Sequence, residues 1–360
     1  MSKKILFTGG GSAGHVTLNL TLIPHFQEQG WETIYVGSKK GIEVDLVSKQ
    51  KNVKYIGIET GKLRRYFSIQ NFFDLFKIPF GIMQAYCVIH KEKPDIIFSK
   101  GGFVSFPVIV GAWLNGKKAI MHESDMSLGL ANRLSLPFVY KLFTTFEETT
   151  TKPEHRSKID NIGPVMSSRL TGGSKANGKK FCGFKSDKPV ILVIGGSLGA
   201  DSINKAIRDN LEDLLEDYQI AHVCGKGRMD KSVKAEGYVQ FEYVGKEFKD
   251  LMTLSDVVVS RAGSNSIFEL LMLKKPMMLV PLPSTSSRGE QVLNAKSMVE
   301  KGVAELVRDE NLVDSREFMR SVNKTYLHRD ELIENIEKSG LKVIKSLDLV
   351  EKIKDILNDD

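Results

Sequence analysis

The stretch that decides the fold is Lys4-Ile-Leu-Phe-Thr-Gly-Gly-Gly-Ser-Ala-Gly-His15. A short apolar run ends on glycines, and helical apolar spacing follows at Leu18, Leu22, Ile23 and Phe26. That sequence reads as strand, glycine-built turn, helix. The pattern recurs at Pro189-Val-Ile-Leu-Val-Ile-Gly-Gly-Ser-Leu-Gly-Ala200, followed by Ile203, Ala206, Ile207, Leu211 and Leu214. Two copies half a chain apart predict two similar domains, and 360 residues is a comfortable length for two.

Other apolar runs alternate with helical stretches in both halves. They are Thr33–Val36, Asp95–Phe98, Ala119–Met121 and Leu142–Thr144, then Ile220–Val223, Asp256–Val259 and Met277–Val280. Continuous apolar strands between helices mean parallel sheets covered on both faces. The expected class is α/β, two Rossmann-like doubly wound domains. A Gly-, Ser- and Lys-rich junction falls at Gly163–Lys180. The expected boundaries are 1–163, 164–340 and a closing helix at 341–360. That helix shows apolar spacing at Leu341, Ile344, Leu347, Ile353, Ile356 and Leu357, and can pack on either domain, a return to the N-terminal one included.

Composition narrows the function classes. Hydrophobic residues are 41% and charged residues 26%, values of a soluble globular chain. Lys plus Arg is 51 against 44 Asp plus Glu, a net charge of +7 that permits an anionic partner without pointing to nucleic acid. Cys87, Cys182 and Cys224 make no metal-ligand spacing and read as reduced thiols. The N-terminus has only Ile5, Leu6 and Phe7 after its lysines, too little for a signal peptide. The uncharged stretch Gly101–Gly116 falls short of a spanning helix.

A glycine loop entering a helix offers unpaired N–H groups and a positive dipole end, hence an anion site. The first loop also fits G-x-G-x-x-G through Gly9, Gly11 and Gly14. A dinucleotide site wants an acid at the end of the second strand, but here that strand ends Tyr35-Val-Gly-Ser-Lys39. NAD is disfavoured on that ground, while NADP stays open through Lys39 and Lys40. His15 follows the loop and can serve as general base or phosphate donor, or merely cap and pack. His122-Glu-Ser-Asp125 follows a strand, where three titratable residues can do acid–base work; the alternative is a helix start capped by Asp125. Arg261-Ala-Gly-Ser-Asn-Ser-Ile-Phe-Glu269 brings N–H and hydroxyl donors, and a carboxylate able to accept a ribose's two hydroxyls. The loop Pro281–Asn294 carries hydroxyls, Arg288 and Gln291, suited to sugar or phosphate. No D-x-D triplet occurs, so no carboxylate-held metal and no cofactor is expected. Lys62, Arg64 and Arg65 precede Phe72, Phe73, Phe76 and Phe80, a composition that fits either an anionic lipid surface or an amphipathic core helix.

Taken in series, TGGGSAGHV (8–16), GKLRRYFS (61–68), FSKGGFVS (98–105), HESDMSLGLAN (122–132), GGSLGA (195–200), SRAGSNSIFE (260–269) and SRGEQVLNA (287–295) resemble the MurG family, of glycosyltransferase family 28, in its Gram-positive branch. The resemblance spans nearly the whole chain. It implies a GT-B fold with two domains facing a cleft. It also implies an inverting transfer of N-acetylglucosamine from UDP-N-acetylglucosamine to lipid I, making lipid II.

By motif, the resemblance puts the donor on the C-terminal domain. Ser197 meets the phosphates, Gly263, Ser264, Asn265 and Ser266 line the site, Glu269 holds the ribose, Gln291 the sugar, and the Val244 backbone the uracil. The N-terminal domain takes the acceptor, with Gly10, Gly11, Ser12, Gly14 and Asn132 around its diphosphate and His15 and Asp125 near the reacting hydroxyl. The partners implied are UDP-N-acetylglucosamine, lipid I and the anionic inner leaflet, and the location the cytoplasmic face of the cell membrane. The chain departs from the pattern at the junction, where the family's Arg falls on Ser167; Arg169 is the substitute. Two readings compete with a transferase. One is an NADP-linked oxidoreductase, which leaves the second loop unexplained. The other is a non-catalytic nucleotide-sugar binder, favoured by Ser167 and opposed by His15, Glu269 and Gln291.

Overall fold

The computed structural model describes residues 2–61, 69–149, 151–166, 170–196, 199–283 and 289–358. They form two units, Met1–Val165 with Val343–Asp360, and Met166–Lys342. In chain order the first unit runs β1 (Lys4–Thr8), α1 (Gly14–Glu28), β2 (Glu32–Ser38), α2 (Ile42–Val47), β3 (Val53–Ile58) and α3 (Ile69–Glu92). It continues through β4 (Ile96–Ser99), α4 (Ser105–Leu114), β5 (Ala119–Glu123), α5 (Leu130–Ser135), β6 (Lys141–Thr144), β7 (Ile159–Asn161) and β8 (Val165–Met166). The second unit holds α6 (Lys175–Cys182), β9 (Val190–Ile194), α7 (Asp201–Asp209), α8 (Leu211–Asp217), β10 (Gln219–Val223), β11 (Tyr238–Phe241) and α9 (Phe248–Leu254). After these come β12 (Val257–Ser260), α10 (Ser264–Met272), β13 (Met277–Leu279), α11 (Glu290–Glu300), β14 (Glu305–Leu306), α12 (Ser315–Leu327) and α13 (Arg329–Lys338). The chain then re-enters the first unit with β15 (Ile344–Lys345) and α14 (Ser346–Asn358).

The first sheet has the order β3-β2-β1-β4-β5-β6-β7, the second β11-β10-β9-β12-β13-β14. Pairs such as Leu6 with Ile34 and Leu192 with Val258 are parallel, as continuous apolar strands require. In each sheet the order reverses beside the strand that precedes a glycine loop, β1 against β4 and β9 against β12. Ligands of doubly wound sheets bind outside the carboxyl ends of the strands at such a reversal.

Strands β1, β2, β4, β5, β6, β9, β10, β12 and β13 fall where the apolar runs place them. The edge strands β3, β7, β11 and β14 have no continuous apolar run and lie beyond those expectations. The junction stretch is not all loop, since α6 occupies its second half with Ser174 Oγ accepting from Asn177 N at its start. The closing helix starts later than its apolar spacing suggested: Ile344 belongs to β15, and Leu347 is 50% exposed. Leu349, Val350, Ile353 and Ile356 are the residues it buries, in the first unit's core with Phe7, Phe26 and Phe98. Phe7 meets Phe26 and Phe98 edge-on at 5.8 and 6.1 Å.

Candidate functional site

In the first unit, three segments meet at the β1/β4 reversal: residues 9–15 after β1, 100–102 after β4, and the end of β5 with the turn after it, 122–129. The first turn is held from below. Asn19 Nδ2 donates to Thr8 O at 3.0 Å and Tyr35 Oη to Gly9 O at 2.9 Å. Glu43, from the first turn of α2, is fully buried and accepts from Gly11 N and Ser38 N, each at 3.1 Å, and from Ser38 Oγ at 2.5 Å. The acid missing from the end of β2 therefore arrives from the next helix and takes an N–H group that a bound nucleotide would need.

His15 is the second residue of α1, and its Nδ1 lies 2.9 Å from Ser12 Oγ. Gly10 N donates to Gly101 O at 3.3 Å. Gly102 has φ +89°, and a Cβ there would lie 2.1 Å from Gly10 O and 3.2 Å from His15 Nδ1, so only glycine lets the two turns close. Gly11 and Ser12 are exposed, while Gly14 and His15 are half-buried.

The 122–125 segment divides sharply. His122 and Glu123 are 3% and 5% exposed, so of the three titratable residues there only Asp125 keeps partial exposure. Burial, with the nearby Lys100 charge, holds His122 well below the ordinary histidine range. Burial also raises the Glu123 carboxyl, although it accepts from Asp125 N at 3.1 Å and Gly129 N at 3.0 Å. Asp125 does not cap a helix: α5 begins at Leu130 behind Gly129. Asn132 is buried, with Nδ2 donating to Glu123 Oε2 at 2.9 Å, so it supports Glu123 from within.

In the second unit a cavity of about 530 Å³ opens at the carboxyl ends of β9, β10 and β12, lined by Gly196, Val244, Gly245, Ser266, Glu269 and Leu270. Gly263 caps α10, whose first turn is Ser264, Asn265 and Ser266, and Glu269 is half-buried farther along the same helix. Val244 is 7% exposed and its neighbour Tyr243 81%. Gln291 Oε1 accepts from Leu282 N at 3.1 Å and braces the loop after β13. Arg261 turns inward: it donates to Val280 O at 3.2 Å and Ser202 Oγ at 2.8 Å and pairs with Asp309. Ser197, Arg169, Lys62, Arg64, Arg65 and Arg288 lie outside the described residues, as does the side chain of Phe72.

Helix α3 is amphipathic. Ala85 and Ile89 are in the core, while Phe76 is 64%, Phe80 55% and Met83 63% exposed, so the helix packs on the core by one face and exposes an apolar one. Among the described residues, no helix is long and apolar enough to cross a membrane. Among them too, no group of three or more His, Cys, Asp or Glu is arranged to hold a metal ion.

Three parts of these sites were missed in the sequence. Glu43 carries no motif, Lys100 follows a strand where a lysine reads as solvated, and His122 and Glu123 look like reactive groups until their burial is known.

Residues 5–144 match the glycosyltransferase family 28 N-terminal domain and residues 190–353 its C-terminal domain. A UDP-N-acetylglucosamine--N-acetylmuramyl-(pentapeptide) pyrophosphoryl-undecaprenol N-acetylglucosamine transferase of Geobacillus thermodenitrificans is 50% identical over 94% of this chain and 95% of its own. The protein of the same name from Clostridium tetani is 49% identical over 98% of each. The crystal structure of MurG from Acinetobacter baumannii is similar with a TM-score of 0.76 at 21% identity, covering 98% of this chain and 99% of that one. The calicheamicin glycosyltransferase CalG4 is similar at 0.71 and 12%, over 99% of this chain and 98% of its own. With its two halves matched in order and relatives of such identity along almost its full length, the chain belongs to glycosyltransferase family 28.

Proposed function

We propose that this chain is an inverting glycosyltransferase. It moves N-acetylglucosamine from UDP-N-acetylglucosamine to the C4 hydroxyl of the N-acetylmuramoyl residue of lipid I, giving lipid II for peptidoglycan synthesis. The observation that carries the reading is the 50% identity, over 94% of the chain, to a transferase named for those substrates.

The cavity of the second unit suits the donor. The amides at the start of α10 and its positive end face a diphosphate, and Glu269 accepts from the ribose hydroxyls. The Val244 backbone meets uracil, Gln291 the sugar, and Ser197 and Arg169 the phosphates. The acceptor's diphosphate lies on Gly10–Gly14 of the first unit. Its hydroxyl oxygen attacks the anomeric carbon, the bond from that carbon to the phosphate oxygen breaks, and UDP leaves. His15 Nε2 takes the hydroxyl proton, because Ser12 Oγ engages Nδ1 at 2.9 Å; Asp125 is the second candidate. Charge developing on the leaving diphosphate is met by N–H groups and the helix dipole, the arrangement expected of a chain with no D-x-D triplet.

The oxidoreductase alternative loses ground because Glu43 already accepts from Gly11 N. We place the enzyme at the cytoplasmic face of the membrane, held peripherally by Phe76, Phe80 and Met83 with Phe72, Lys62, Arg64 and Arg65. The test is incubation with UDP-N-acetylglucosamine and a lipid I analogue, with the anomeric proton coupling of the product read by NMR. A β-1,4-linked disaccharide is expected, and an α-linked product would reject the inverting mechanism.

A further inference from the structure

Lys100 is 3% exposed and lies between the turn after β1 and the end of β5. Its backbone N donates to Thr8 O at 2.9 Å, and a Cβ on Gly9 would lie 3.3 Å from its own Cβ. Its Nζ lies 2.9 Å from His122 Nδ1 and 2.6 Å from Ser124 Oγ. The next two residues complete the contact, Gly101 through Gly10 N and Gly102 beside His15 Nδ1.

A lysine is a costly choice at such a position. Burying an ammonium carries a desolvation penalty that two hydrogen bonds only partly return, and methionine would fill the space without it. Among the described residues, the titratable groups that face the ammonium are His122 and Glu123 at the end of β5 and Asp125 just beyond it. His122 is neutral, so its Nδ1 accepts from Lys100 and its Nε2 faces Thr145 Oγ1 at 3.5 Å.

We propose that Lys100 is a positioning residue for the transfer reaction, bracing the turn that carries His15 against the turn that carries Asp125. The inference rests on the transferase reading for its kinetic consequence, and on the burial of Lys100 near Glu123 and Asp125 for its charge consequence. Burial pushes Lys100 down to about 8, against the opposing charges of Glu123 and Asp125. The cation is therefore present at neutral pH and is lost as the pH rises through that value.

The experiment uses the full chain with Lys100→Met and Ser124→Ala. Wild-type transfer is the control that the transferase reading must pass by itself. Lys100→Met is expected to lower kcat about 100-fold, a typical cost of misplacing a catalytic constellation, with the UDP-N-acetylglucosamine KM within about twofold. The wild-type alkaline limb near pH 8 disappears in Lys100→Met and persists in Ser124→Ala, which keeps the charge and loses one bond. Unchanged kcat and pH profile would overturn the proposal. So would a loss of kcat accompanied by loss of UDP binding or of the melting transition, because that is a general structural role. A lysine 13Cε titration needs no turnover: the Lys100 midpoint near 8 falls in Asp125→Asn, and an unmoved midpoint also overturns the link.

Discussion

The Glu43 carboxylate accepts the amide hydrogen of Gly11 at 3.1 Å, from beneath the first glycine loop. A chain with a dinucleotide fingerprint would leave that amide to a pyrophosphate. Here an internal anion takes it, so the loop is preassembled for a ligand that uses its outer face. Glu43→Gln keeps the shape but sets its amide NH₂ against the N–H group of either Gly11 or Ser38, whose donors use different carboxylate oxygens. We expect a loss of about 1–3 kcal/mol in urea unfolding, the cost of leaving a buried donor unpaired, a raised KM for the acceptor and an unchanged one for the donor. Equal stability of variant and wild type would remove Glu43 from the loop's support.

Glu269 lines the second unit's cavity on α10. A carboxylate accepting two ribose hydroxyls makes charge-assisted bonds, and Glu269→Gln is expected to weaken UDP binding about 10- to 100-fold. Calorimetry with UDP and with the sugar nucleotide should show the same ratio, because the contact is to the ribose. A loss confined to the sugar nucleotide would put Glu269 at the hexose instead.

Arg261 joins β12 to Asp309 and to Ser202 on α7, with side-chain exposures of 11% and 18% for the charged pair. Removing one partner leaves the other charge nearly buried. Arg261→Met or Asp309→Leu alone is expected to cost about 2–4 kcal/mol, and the double variant less than the sum of the two. Additive losses in thermal unfolding would show that the pair is not coupled.

His222 is fully buried between Asn204 Oδ1 and Tyr238 Oη, each 2.9 Å from a ring nitrogen. Desolvation, with Arg208 nearby, pushes it down to about 3 from the ordinary 6.5. Between those values the unfolded chain binds the proton and the native state does not. The neutral-histidine contribution, on the order of 4 kcal/mol, is therefore complete above about pH 6.5 and lost as pH falls toward 3. Urea unfolding at about pH 7 and pH 4.5 should show a steep decline in wild type and a flatter one in His222→Gln. Parallel declines would assign the acid sensitivity elsewhere.

The two glycine loops announce the fold because strand, loop and helix recur with the same spacing, and the central parallel strands carry continuous apolar runs. Edge strands carry no such mark. β3 holds Lys54 and β14 holds Glu305 on sides that face water, so a search for continuous apolar runs passes over them. The placement of His15, of Glu269 on α10 and of the turn before that helix was legible because each follows a strand in a known pattern. Glu43, Lys100 and the inward turn of His122 were not, since each depends on which distant backbone lies within 3 Å or so of a side chain. The C-terminal helix shows the same limit. Its periodicity marks it as amphipathic, while the partner of Leu349, Val350, Ile353 and Ile356 is a property of the assembled core.

The most direct test of the account is the initial rate of radiolabelled sugar transfer to a lipid I analogue, for wild type beside His15→Ala, with UDP affinity measured on the same samples. The account predicts transfer by wild type and a fall in kcat of about 10²- to 10⁴-fold in the variant, the usual worth of a general base, with UDP binding unchanged. No transfer by a wild-type protein that binds UDP, or full turnover by His15→Ala, would contradict it.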